Sequence, residues 1–167
     1  VGLFNYNKNQ SEIFEYARRI ENEDVMFHFF GNMADNFIDY WKPLTENTPK
    51  NCKIWGERSD LHRFYRCMDL FLFTSKLENR PLSVLEATSY NMPVLMYNLK
   101  TYGRDFSNFK NVNFLTNDIN SNLDLIRNKL NVQKNKNKSE ISAYHMITDI
   151  DSEREVQSQI SLTKLEK

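Results

Sequence analysis

Neither sign of charge dominates this chain: Lys plus Arg and Asp plus Glu both number 22, so the net charge is zero. A basic face is the electrostatic footprint of a nucleic-acid binder, and this balance supplies none. No apolar run approaches the roughly 20 residues that a membrane-spanning helix needs, and no signal-peptide pattern is visible. Cysteine is scarce. Cys52 and Cys67 are the only two, in or beside apolar segments, with no CxxC spacing and no nearby His. They read as buried thiols in a reducing, cytoplasmic compartment. No His, Cys and carboxylate cluster has metal-ligand spacing, and no internal repeat is evident.

What is present is enough for one compact domain. The chain has 167 residues, 40% of them apolar and 13% aromatic, sufficient for a real core but too short for two full-sized domains. It opens on "VGLF", an apolar strand with nothing before it, and closes on "TKLEK", in mid-helix by pattern. Both ends read as cuts in a longer protein, with a partner lobe expected outside this chain.

Strands alternate with helices along the sequence. Residues 1–5, 25–31, 52–56, 69–75, 92–98 and 112–115 are short apolar runs expected to be strands. Residues 11–21 carry apolar side chains at 13, 14, 17 and 20, one face of a helix, with Gln10 or Ser11 as the expected cap. Further helices are expected over 36–44, ending at Pro43, over 59–68 with Ser59 or Asp60 at the cap, over 81–91 with Pro81 in the first position, and over 119–130. The strands are continuous apolar runs rather than alternating ones, as in a parallel sheet buried on both faces. The expected fold is therefore α/β: a doubly wound, parallel, Rossmann-like sheet with helices on both faces. It is expected to span residues 1–133. "NVQKNKNKSE" (131–140) has no apolar periodicity and reads as a linker or exposed loop, and the boundary linker is placed at 134–141. A β-α segment over 142–167 follows, read as the start of a further domain.

In an open α/β sheet, ligands bind beyond the carboxyl ends of the strands. Those ends carry Asn5 and Lys8, Gly31 and Asn32, Gly56, Glu57 and Arg58, Ser75 and Glu78, and Asn98 and Lys100. The stretch "TSKLENRPLSVLEA" (74–87) places one glutamate on each side of a helix start. Free backbone N–H groups at 81–83 and the helix dipole make a ready anion site. Ser83 adds a hydroxyl, and Lys8 a charge that could reach the same anion. Glu86, one turn further on, could accept two hydrogen bonds from a ribose diol, and Glu78 would face whatever hangs from the phosphate. A nucleotide diphosphate sugar fits that set.

The ordered landmarks extend the match. They are Gly2 with Lys8 six positions on, Phe30-Gly31, Gly56 with Asp60, the run from Asp69 to Ser75, then Glu78, seven residues and Glu86, and finally Pro93. From Val1 to about Leu130 the chain resembles the donor-binding C-terminal lobe of retaining glycosyltransferases of the GT-B fold, of the glycosyl transferases group 1 type. The resemblance implies that Lys8 neutralises the diphosphate and that Glu86 binds the ribose hydroxyls. Glu78 would touch the donor sugar and steady charge at the reacting carbon. The backbone of Asn79, Arg80, Pro81, Leu82 and Ser83 would contact the phosphates, with Gly31 and Arg58 completing the donor rim. It implies no metal and no separate cofactor, a UDP- or GDP-linked donor as substrate, and an acceptor hydroxyl brought by a second lobe. This chain alone would then be inactive.

Three positions depart from the family pattern. Leu3 stands where many members carry an arginine, Asn79 where glycine is frequent, and Asn91 where glycine usually precedes the proline. Asn tolerates left-handed backbone better than most residues, and Arg80 is the nearest candidate for the missing cation. Two alternatives stay open: a degenerate, non-catalytic nucleotide-sugar-binding module with Leu3 as its lesion, and a flavodoxin-like regulatory domain. The second needs an acidic cluster after the first strand, where Asn and Lys stand instead. Plainer roles are also available. His28 reads as a core histidine, His62 and His145 as surface or packing residues. Glu86, flanked by Val84, Leu85 and Ala87, reads as lying on a largely buried helix and needing a partner.

Overall fold

The computed structural model describes residues 1–136, which fold into alternating helices and short strands. The remainder of the expected linker, the 142–167 segment and His145 lie outside the described residues. Strands β1 (Phe27–Phe29) and β2 (Cys52–Ile54) pair in parallel, Phe27 opposite Cys52. Strands β3 (Phe71–Phe73), β4 (Val94–Met96) and β5 (Val112–Phe114) form a second parallel set in that order. Helices α1 (Gln10–Arg19), α2 (Ile38–Glu46), α3 (Leu61–Cys67), α4 (Leu82–Ser89) and α5 (Ile119–Lys136) connect or follow them.

Successive side chains of a strand point to opposite faces, and β4 shows why its sequence is apolar throughout. Leu95 packs into a core with Phe14 and Ala17 of α1 and Leu123 and Ile126 of α5. Val94 and Met96 pack the other way, with Tyr65 of α3 and Val84 and Ala87 of α4. All three β4 residues are buried. Helices therefore cover both faces of this set, as the continuous apolar runs require.

The opening segment, expected as a strand, is extended but joins no regular ladder. Gly2 N–H donates to Phe30 O (2.8 Å) and Phe4 N–H to Asn32 O (2.9 Å). On its other side Lys76 N–H donates to Asn7 O (2.7 Å), and the Thr74 hydroxyl donates to Lys8 O (3.2 Å) and Asn9 O (3.0 Å). The segment thus lies between β1 and the loop after β3. Its regularity is broken by two glycines. Gly2 has φ +132°, Gly31 has φ +142°, and a Cβ on Gly31 would collide with the carbonyl oxygen of Gly2.

Other boundaries also differ. Pro43 does not end α2 but sits inside it. The carbonyl that its missing N–H leaves unpaired belongs to Asp39, and both residues face water, so the loss is tolerated. Asn9, in left-handed backbone, is the residue before α1, in place of Gln10 or Ser11. Asp60 occupies the cap position of α3, one of the two residues expected there. Pro81 is the residue before α4, not its first residue. Residues 131–136, read as polar linker, continue α5. Polar residues without apolar periodicity can still extend a helix whose nucleus is anchored by packing, here at Leu123 and Ile126. No disulfide joins Cys52 and Cys67, both are half-buried, and burial pushes the Cys52 thiol up to about 12.

Candidate donor-binding site

Lys8 follows the opening segment, in the turn that leads into α1. Its ammonium donates to Glu78 Oε1, an ion pair between residues 70 apart in sequence. The side chains are 27% and 16% exposed, so the pair is shielded without being sealed from solvent. The Lys8 ammonium also lies 5.6 Å from the centre of the Phe73 ring, at the end of β3. A small recess beside it is lined by Ile13, Phe73, Thr74 and Ser75.

The loop carrying Glu78 is held from the opposite side as well. The Thr101 hydroxyl donates to Glu78 O (2.7 Å), and Gly103 N–H donates to Asn79 O (2.8 Å). Burial, followed by the charge of Glu78, holds the Tyr102 phenol well above its ordinary range. The backbone then turns into α4. Leu82 N–H is taken by Arg80 O (2.9 Å) and Val84 N–H by Pro81 O (3.1 Å). Among the described residues, no backbone carbonyl outside the helix accepts from Ser83 N–H. Pro81 has no N–H to give, so of the three positions 81–83 expected to offer donors only Ser83 does so. Pro81 is buried, Ser83 half-buried, and Asn79, Arg80 and Leu82 are exposed.

Glu86 stands on the exposed face of α4, not on a buried one. Helical periodicity explains the correction: Val84 and Ala87 turn into the core, whereas Glu86 shares the outer face with Leu82. It still has a partner, because the Tyr65 hydroxyl of α3 donates to Glu86 Oε2 at 3.0 Å. Tyr65 reads in the sequence as one more apolar-face residue of its helix, so only its hydroxyl could have flagged it.

The remaining expected residues make contacts of their own. Arg58 forks onto Asp60, with Nε to Oδ1 at 3.0 Å and Nη2 to Oδ2 at 3.2 Å. Its guanidinium lies 5.3 Å from the Trp55 ring and 5.0 Å from the Phe64 ring. Gly31 acts through the backbone, donating to Gly56 O (2.7 Å) while Gly2 crosses above it. Leu3, half-buried, offers only its carbonyl, to Gln10 Nε2 (3.0 Å). Asn91 has φ +57°, the left-handed backbone expected of a glycine substitute, whereas Asn79 does not share it. His28, expected in the core, is half-buried, on the face of β1 opposite Phe27 and Phe29: its Nδ1 accepts from Trp55 Nε1–H (2.9 Å), and burial lowers its pKa to about 4.

A second polar network went unread in the sequence. Glu12 accepts from the hydroxyls of Tyr16 and Tyr97, the latter at 2.6 Å, and from Asn9 Nδ2 at 2.6 Å. It ties α1 to the end of β4 directly below Lys8 in sequence. Among the described residues, no three or more His, Cys, Asp or Glu side chains converge as metal ligands, and no helix is long and apolar enough to cross a membrane.

Residues 1–146 match the family model described as "Glycosyl transferases group 1". Two curated relatives align with parts of the chain. One is an alpha-galactosylglucosyldiacylglycerol synthase of Streptococcus pneumoniae, 36% identical over 75 residues, which are 44% of this chain and 20% of the relative. The other is the capsular polysaccharide biosynthesis glycosyltransferase CapH of Staphylococcus aureus, 27% identical over 119 residues, 68% of this chain and 34% of the relative. The matches thus span 20% and 34% of the relatives' own length. Among solved structures, that of TarM superposes with a TM-score of 0.63 at 23% identity, over 76% of this chain and 27% of that one. The GtfA/B complex gives 0.56 at 12% identity, over 75% and 28%. Identities this low speak to the fold alone, and the fold is the α/β, parallel-sheet architecture described above.

Proposed function

Since the chain belongs to the glycosyl transferases group 1 family, we propose that it is the donor-binding part of a retaining, metal-independent, cytoplasmic glycosyltransferase. In this reading it holds a nucleotide diphosphate sugar, UDP- or GDP-linked, while a second lobe brings the acceptor hydroxyl. The observation that carries the reading is the Lys8–Glu78 pair, set beside the start of α4 on the rim of a parallel sheet.

The chemistry follows from charge. The bond from the anomeric carbon to the diphosphate breaks, its electron pair leaves with the diphosphate, the acceptor oxygen bonds to that carbon, and the acceptor's proton passes to an oxygen of the departing diphosphate. Lys8 and the Ser83 N–H meet that growing negative charge. Glu78 faces the carbon that becomes electron-poor. Lys8 is paired with Glu78, so the diphosphate competes with Glu78 for the ammonium and turns the carboxylate toward the sugar. Glu86 takes the ribose hydroxyls from the exposed face of α4. The names of the two curated relatives support glycolipid or capsular polysaccharide synthesis as the setting.

The family match decides against the flavodoxin-like regulatory alternative. A degenerate donor module remains the second reading, favoured by one observation: Leu3 supplies no cation beside Lys8. Calorimetric titration with UDP, GDP, ADP and CMP, alongside Glu86→Ala, tests the first reading. It predicts saturable binding of one diphosphate, weakened in the variant. Absence of binding by all four contradicts it, and binding without any sugar transfer when the acceptor lobe is present selects the degenerate module.

A further inference from the structure

Tyr65 is nearly inaccessible, and its ring is fixed on several sides. It meets Phe71 edge-on at 6.0 Å between ring centres and stacks on Tyr90 at 5.7 Å. With the ring fixed, the hydroxyl has few places to go, and it donates to Glu86 Oε2. Burial and the neighbouring Glu86 charge raise the phenol well above its ordinary range, so it remains a donor near neutral pH. Glu86 itself stands on an exposed helix face, where a glutamate side chain otherwise samples several rotamers.

We infer that Tyr65 is a positioning residue for ribose recognition: its hydroxyl fixes the Glu86 carboxylate with Oε1 presented to the vicinal diol of the nucleotide. This rests on the donor-site reading above and deepens it. A diol asks for two acceptor sites in a set direction, and a freely rotating carboxylate supplies them only part of the time. The Tyr65 bond uses one lone pair of Oε2 and leaves both of Oε1 available. The residue touches no ligand itself. It acts on the free protein, by removing the wrong rotamers before the nucleotide arrives.

Tyr65→Phe removes the hydroxyl and keeps the ring packing. The test compares, by calorimetry, the tightest-binding nucleoside diphosphate among UDP, GDP and ADP with its 2′,3′-dideoxy counterpart. For the unsubstituted protein the ribo form is expected to bind about tenfold tighter or more. In Tyr65→Phe that preference should fall by about threefold or more, with dideoxy affinity unchanged. Adding Tyr65→Phe to Glu86→Ala should cause no further loss, because the carboxylate it positions is gone. A merely structural tyrosine would weaken both ligands alike and leave their ratio intact. That result, or an unchanged ratio with unchanged affinities, overturns the inference while leaving the donor-site reading standing. Failure of the unsubstituted protein to bind any diphosphate overturns both.

Discussion

The ammonium of Lys8 and the carboxylate of Glu78 are bonded to each other, joining the turn before α1 to the loop before α4. The two groups to which the proposed reading gives opposite roles thus pair with each other. On that reading a diphosphate competes with this ion pair. That competition separates the two residues experimentally.

Glu78→Gln should release Lys8 and bind diphosphate about twofold to fivefold more tightly, while sugar transfer falls by about a hundredfold or more. Lys8→Ala should weaken diphosphate binding about tenfold or more. Thermal unfolding should move little in either variant, since partly exposed ion pairs add about 1 kcal/mol or less. Calorimetry and a transfer assay with the acceptor lobe present read these effects. Weaker binding in Glu78→Gln would speak against the competition.

Gly31→Ala should destabilise the fold by about 2 kcal/mol or more. The new methyl would meet the carbonyl oxygen of Gly2, a backbone atom that cannot rotate away, at a φ of +142°. Urea unfolding measures the loss. An unchanged midpoint would mean that the opening segment is not held against β1 as described.

Acid should weaken the protein through His28. Its folded-state pKa lies near 4 against an ordinary 6.5, because of burial first and the Lys53 charge second. The unfolded chain therefore binds a proton before the folded one does. The stability that neutral His28 contributes is complete above pH 6.5 and is lost as pH falls from 6.5 towards 4. The loss is at most about 3 kcal/mol. His28→Gln removes the titration and can still accept from Trp55, so its unfolding free energy should be flatter across that window. Parallel pH profiles of the two proteins would contradict the assignment.

The α/β fold was legible because β3 and β4 are apolar on both faces, a pattern set by burial between two helical layers. Lys8 and Glu78 were legible as rim residues because strand ends can be located from where apolar runs stop. Their mutual bond was not, since it depends on how two loops 70 residues apart meet. Asn91 carried its left-handed backbone as its residue type allows. Glu86 misled for a different reason: apolar neighbours in sequence lie on other faces of a helix, so Val84 and Ala87 say little about the face that Glu86 occupies. Pro43 misled because a proline need not end a helix: here it sits on the exposed face, where water can satisfy the Asp39 carbonyl.

On the proposed reading a diphosphate sits between Lys8 and the start of α4. Titration of the ¹⁵N-labelled protein with UDP and GDP, with amide shifts followed by NMR, locates it. Saturable shifts are expected, concentrated at Lys8, at residues 78–83 and at Glu86, strongest at Ser83, and lost in Lys8→Ala. Shifts confined to another part of the surface, or none at millimolar nucleotide, would contradict it.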